Sequence, residues 1–272
     1  MISITNPFGR REYTEDAQTI LEWAIDWAMQ AGRVQMQKFR TRHLGMETKS
    51  SVHDVVTEVD KECEQLLIER ISQAYPSHSI LAEESGLHRN AGSDWEWVVD
   101  PLDGTNNYSQ GLPIFCVSIG VQYKGETVAG VVYVPKLDEL YTAVRGNGAQ
   151  LNGRQIHISH KNDLDECVVA TGFPYDKGSV STADNNLDNV CRMLPHLRGL
   201  RRMGSAAYDL CCVASGTLDA YWELNLKPWD ACAGSLIVSE AGGVVKPFRD
   251  DRNISIIAGN ETLVEQIRQK IK

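Results

Sequence analysis

No segment of the 272 residues approaches the roughly 18 apolar residues of a membrane span, so no membrane contact is expected. Lys/Arg-rich runs are missing as well. With 27 basic against 36 acidic residues, a net charge of −9 and a pI near 5.3, the chain lacks the basic footprint of a nucleic-acid binder. The seven cysteines include no CxxC pair, and an odd, scattered set fits reduced thiols better than a disulfide framework. The first residues hold no apolar stretch of signal-peptide length, which leads to the expectation of a soluble, cytoplasmic protein. The three Asn-x-Ser/Thr matches, at Asn107, Asn253 and Asn260, then read as chance. Repeats, low-complexity linkers and the GxGxxG of a dinucleotide site are absent too.

What is present is ordinary globular composition, 42% hydrophobic and 23% charged, with enough length for one large core or two modest lobes. The periodicity predicts a long amphipathic helix from a Thr14 N-cap, with Ile20, Ala24, Ala28 and Ala31 on one face, and a second helix within 61–74. Strands are predicted over 79–82, 95–99, 115–122 and 128–134, with Lys124-Gly125 as a hairpin turn. From Cys167 the texture alternates: strands over 167–172, 218–222 and 254–258, helices over 183–194, 206–215, 231–240 and 262–271, and a stop at Gly242-Gly243. This is an α+β reading: an N-terminal lobe over 1–160, rich in antiparallel strands, and a C-terminal α/β lobe over 161–272, within one continuous unit.

The stretch WEWVVDPLDGTNNY, 95–108, is the most informative. A buried, β-branched run meets Asp100-Pro101-Leu102-Asp103-Gly104, and Pro101 and Gly104 are expected to stop the strand there. Two other segments repeat the theme. LAEESG ends a strand in Glu83-Glu84, and KPWDACAG sets Asp230 at a helix start. Singly, each has an ordinary structural role: Asp230 as a helix cap, Glu83-Glu84 as a solvated turn, Asp100 and Asp103 as Asx-turn residues. Together they place several carboxylates where strands end or helices begin, the usual location of α/β ligand sites. Such groups would repel one another without cations, and oxygen-only donors select hard ions, chiefly Mg²⁺.

WVVDPLDGTNNY, LAEESG and KPWDACAGSLIVSEAGG, together with KSSVHDVVTEVD ending in Asp60, resemble the signature segments of the inositol monophosphatase family, in family order and over nearly the whole chain from about residue 15. The resemblance implies a five-layer αβαβα sandwich, a homodimer, and a Mg²⁺-dependent, lithium-sensitive phosphomonoesterase using two or three ions. By position, Glu83, Asp100, Asp103, Asp230 and the Leu102 carbonyl would hold metal. Thr105 with Glu83 or Asp60 would position the attacking water, and Glu84 and Lys49 would stand behind the ligands. The amides of Gly104 and Thr105 would hold phosphate if they open a helix. Tyr108, where Phe is usual, and Cys232, where Ala or Ser is common, depart from the pattern.

RRMGSAAYDLCCVASGTLDAYWE resembles the family's substrate segment. It would set Gly204, Ser205 and Ala206 beside the leaving group, with Asp103 and Asp230 also at the substrate, and let Glu223 accept hydrogen bonds from a polyol such as inositol 1-phosphate. The alternative reading of Glu223 is a solvated strand end. Arg201 and Arg202 read as surface charge that could also attract phosphate. The alternatives are a relative that hydrolyses histidinol phosphate, fructose 1,6-bisphosphate or 3′-phosphoadenosine phosphates, or a family member with an added protein-binding regulatory role.

Overall fold

The computed structural model describes residues 16–41, 45, 47–48, 55–175 and 185–272. Helix α1 (Ala17–Lys38) is capped by Asp16, whose carboxylate accepts from the Gln18 amide; the expected Thr14 cap lies outside the described residues. The short pair β1 (Glu47–Thr48) and β2 (Val55–Val56) precedes α2 (Glu58–Ala74). Helix α2 starts three residues earlier than periodicity predicts, because Thr57 and Asp60 form a reciprocal capping box.

An eight-stranded sheet follows, built from β3 (Ser79–Ala82), β4 (Gly86–His88), β5 (Trp95–Asp103), β6 (Cys116–Tyr123), β7 (Glu126–Val134), β8 (Glu139–Val144), β9 (Ala149–Leu151) and β10 (Arg154–Gln155). Its order is β10-β9-β8-β7-β6-β5-β3-β4, and every neighbouring pair is antiparallel except β3 with β5. The short helix α3 (Thr105–Ser109) sits between β5 and β6. Lys124 and Gly125 both have positive φ and close the β6–β7 hairpin.

The second sheet holds β11 (Val168–Thr171), then, after α4 (Leu187–Met193), β12 (Gly199–Arg201), and beyond α5 (Ala206–Ala214), β13 (Ala220–Leu226). Helix α6 (Pro228–Glu240), β14 (Val244–Arg249), β15 (Ile254–Gly259) and α7 (Glu261–Arg268) complete the chain. The order is β12-β11-β13-β15-β14, with β11 parallel to β12 and β13.

Three buried clusters separate five layers. The first packs α1 and α2 on the larger sheet, through Trp27, Leu67, Trp97 and Ile119. In the second, α5 and α6 lie between the sheets, and in the third α4 and α7 cover the far face of the smaller one. Close approach of α6 to the larger sheet needs small residues: a Cβ on Gly120 would collide with Cys232, and one on Gly130 would meet Ala233 at 3.1–3.2 Å. Cys232 therefore fills an interlayer gap, near Thr127 and Gln122, and does not face the cleft described below.

Two sequence expectations need correction. The strand over 95–99 does not stop at Pro101 but runs to Asp103, because the register slips between Asp100↔Ser118 and Asp103↔Cys116. Pro101 and Leu102 oppose Val117 alone, so the residue without an N–H sits in a bulge where the ladder asks for none. The helix expected over 183–194 is Leu187–Met193, and residues 183–184 fall outside those described. The sequence reading holds no strand at β1, β2, β4, β8, β12 or β14. Tyr108 is fully buried, and its hydroxyl donates to the Gln35 carbonyl at 2.6 Å, which gives the extra oxygen a partner.

Candidate active site

The parallel pairing of β3 with β5 aligns Ala82 with Val99, so the residues that follow, Glu83 and Asp100, emerge side by side. Asp100 Oδ1 accepts from the Leu102 amide at 2.9 Å, the Asx turn that a short carboxylate favours, and this rotates the bulge so that the Leu102 carbonyl lies near Thr105. Gly104 follows at φ 93°, and a Cβ there would meet the Ile114 carbonyl at 2.9 Å; no other residue fits this corner. Thr105 Oγ1 lies 2.8 Å from Asp60 Oδ1 and 3.0 Å from the Leu102 carbonyl, and it donates its one proton to either. Asp103 Oδ2 accepts from Ser205 Oγ at 2.7 Å and from the Ala207 amide at 2.8 Å, which ties the bulge to the start of α5. Asp230, in the first turn of α6, accepts from the Lys227 amide at 2.7 Å. Its capping role and a role in the cleft thus coexist.

Glu83, Asp100, Asp103 and Asp230 line one cleft with Leu102, Gly104 and Thr105. The same cleft is lined by Gly204, Ser205, Ala206 and Glu223, with Arg202, Gly172, Phe173 and Tyr175. Burial lifts the carboxyls of Asp100 and Asp230 well above the usual range, and their negative neighbours push in the same direction. Asp103 is pushed up to about 6, mainly by burial, against the pull of the Ser205 and Ala207 bonds. Burial also raises Asp60. Glu223 rises to about 7 by burial, opposed by the Tyr221 hydroxyl, which donates at 2.5 Å, and by Arg202.

The donor set fits a hard divalent cation. All its donors are oxygens, the carboxyls are crowded with like charge, and an opposite charge would lower the raised pKa values of Asp100, Asp103 and Asp230. Among the described residues no three His, Cys, Asp or Glu side chains form a closed metal-holding group.

A family model for the inositol monophosphatase family matches residues 16–272. The chain belongs to the inositol monophosphatase family. It is 42% identical over 250 residues to the protein named Nus factor SuhB of Escherichia coli, covering 90% of this chain and 93% of that one. Its fold is similar to the inositol monophosphatase of Anabaena (Nostoc) sp., with a TM-score of 0.82 and 38% identity, covering 93% of this chain and 95% of that chain. It is similar also to the extragenic suppressor protein suhB of Bartonella henselae, with a TM-score of 0.87 and 37% identity, covering 93% and 98%. The αβαβα architecture expected of an inositol monophosphatase is the one observed.

Not every residue singled out in the sequence reaches the cleft. Asp60 reaches it only through Thr105. Glu84 lines a separate groove with Lys61, Gln65 and His88. Lys49 lies outside the described residues. Arg201 is exposed and donates to the Leu200 carbonyl, whereas Arg202 lines the cleft. Sequence reasoning passed over Asn107, whose amide donates to the Ile114 and Met203 carbonyls and so joins the corner after Gly104 to the residue before Gly204. It passed over Asp209 as well, a buried residue of the first turns of α5 held far above the usual carboxyl range by burial and by Glu223. Gly172 was also missed: a Cβ there would overlap the Glu223 carboxylate. The parallel pairing of β11 with β13 sets Gly172 beside Glu223, a contact no local pattern announces.

Proposed function

We propose that the chain hydrolyses a small phosphorylated polyol in this cleft, inositol 1-phosphate foremost, and that it also serves a protein partner in a regulatory role. The observation that carries the hydrolytic reading is the convergence of Glu83, Asp100, Asp103 and Asp230 with the Leu102 carbonyl beside Thr105. Mg²⁺, when bound by these oxygens, supplies the Lewis-acid charge that neutralises phosphate oxygens and acidifies water. When Thr105 Oγ1 donates to Asp60 Oδ1, its lone pairs can accept a hydrogen bond from the attacking water and orient it in line. Asp60, its proton affinity raised by burial, and Glu83 are the places to which that water's proton can move. Across the cleft, Glu223 would accept from polyol hydroxyls, kept oriented by Tyr221, while Arg202 offsets its charge and attracts phosphate.

The regulatory reading is favoured by the relatives named Nus factor SuhB. Those names support an added partner more strongly than they support inositol 1-phosphate as a dedicated substrate. They also leave the expectation of no nucleic-acid association resting on charge alone. Family membership further supports a homodimer and lithium sensitivity.

Phosphate release over a panel of polyol, sugar, amino-alcohol and nucleotide phosphates tests the enzyme. Activity should vanish in chelator and return with millimolar Mg²⁺ but little with Ca²⁺, whose looser coordination places water poorly. Full turnover in excess chelator would end the metal-assisted reading. For the second role, tagged Asp103→Asn protein should still recover its partner from a lysate, and recovery equal to an empty column would remove it.

A further inference from the structure

Glu64 has no part in the hydrolytic reading, yet it is only 4% exposed and both its carboxylate oxygens are engaged. Oε2 accepts from the Glu84 amide at 2.7 Å and Oε1 from the Ser85 amide at 2.9 Å. These are the two amides that follow Glu83 in the loop joining β3 to β4. A carboxylate is removed from water at great cost unless it is matched by donors, and here one group matches two backbone N–H groups with charge-assisted bonds. Paired bonds restrict the loop in orientation as well as position. One turn earlier on α2, Asp60 accepts from the Thr57 amide and hydroxyl and lies 2.8 Å from Thr105 Oγ1. Residues four apart lie on one helix face, so α2 delivers one carboxylate to the loop after β3 and another to the loop after β5.

We infer that Glu64 is a positioning residue for cation binding. It fixes the backbone just after Glu83, so that Glu83 meets Asp100 across the ends of β3 and β5, and through α2 it keeps that pair in register with Asp60 and Thr105. The inference rests on the reading of Glu83 as a cation ligand. Glu64 acts by hydrogen bonding alone. Gln at this position keeps one acceptor but sets an NH₂ donor against a backbone N–H, which removes one anchor and adds a repulsion.

The test is a Mn²⁺ titration of the full chain followed by electron paramagnetic resonance, which measures free ion and needs no turnover, with thermal melting of the same samples. Glu64→Gln should raise the Mn²⁺ Kd about tenfold or more, the usual cost of losing the outer partner of a metal ligand. Leu67→Ala, on the same helix and fully buried in the first core cluster, should lower Tm without disturbing the loop and keep the wild-type Kd well below its melting point. If the Gln variant does not fold, Glu64→Asp, which keeps both acceptors but draws them back from the amides, makes the same comparison. A wild-type Kd in the position-64 variant, or an equal rise in Leu67→Ala, would make Glu64 a merely structural residue and overturn the inference. Wild-type protein that binds no Mn²⁺ would overturn the cation reading and the inference with it, a distinct result.

Discussion

Two parallel strand pairs end on the cleft, β3/β5 from the larger sheet and β11/β13 from the smaller, and they carry opposite kinds of chemistry. The first presents charge of one sign. Glu83, Asp100 and Asp103 are held by turns within their own segments, by the amides of α5 and by α2, and nothing basic lines that wall. The second presents Glu223 with part of its compensation in place: the Tyr221 hydroxyl and the Arg202 guanidinium oppose the burial that still lifts its carboxyl to about 7. A wall of like charges with no cation of its own needs an arriving one, whereas the wall around Glu223 brings its own cation in Arg202. The first side is therefore suited to holding metal whatever the substrate, and the second can change its contacts without disturbing the first.

The largest effect should come from the uncompensated side. Asp103→Asn keeps an oxygen that can still accept from Ser205 and the Ala207 amide, so the fold and Tm should stay close to wild type. Losing the charge should cost on the order of 4 kcal/mol of transition-state stabilisation, roughly a thousandfold in turnover. Turnover near wild type on this variant would break the comparison at its root.

A pH series of melting curves sharpens it. The carboxyls of Asp103 and Glu223 have folded-state pKa values raised to about 6 and about 7, so the folded protein binds protons that the unfolded chain has released. The corresponding stability is present below the ordinary carboxyl range and is lost as pH rises through 6 and 7. Metal-free protein should thus melt at a higher temperature at pH 5 than at pH 8, with about 3 kcal/mol of the loss coming from Glu223. Saturating Mg²⁺ should flatten the part due to Asp103 and leave the part due to Glu223. A pH dependence that Mg²⁺ leaves untouched would mean that the ion does not meet the first wall.

The smallest effect is the most selective. Glu223→Gln should lower kcat/KM for inositol 1-phosphate by about 1–3 kcal/mol and leave p-nitrophenyl phosphate and the Mg²⁺ requirement nearly unchanged. Equal losses on both substrates would show that the two walls are not separable.

The first wall was the more legible in sequence, for a physical reason. Asp100, Leu102, Asp103, Gly104 and Thr105 are neighbours in the chain, and what brings their groups together is one bulge, one Asx turn and one left-handed glycine. Local chemistry of that kind leaves a local pattern. Even there the pattern misled in one respect, since Pro101 reads as a strand stop and instead occupies the bulge of a strand that continues. The second wall is assembled from three separate segments, around Gly172, residues 202–206 and Glu223, and in sequence Arg202 read as surface charge that could also attract phosphate. Nothing near Glu64 in sequence tells that its carboxylate reaches two amides twenty residues away.

The sequence by itself determined the longer helices and about half of the strands, the carboxylates that end them, and through its four motif segments the family. Those depend on side-chain periodicity, turn residues and short spacings, which act over a few residues. Only the tertiary structure decided that β3 runs parallel to β5 and β11 to β13, that the strand ends open on one cleft, and that Arg202 faces it while Arg201 faces water. Such choices are made by stacking two sheets across α5 and α6, where burial of apolar area and the close approach allowed at Gly120 and Gly130 select one arrangement from many that the same local preferences permit.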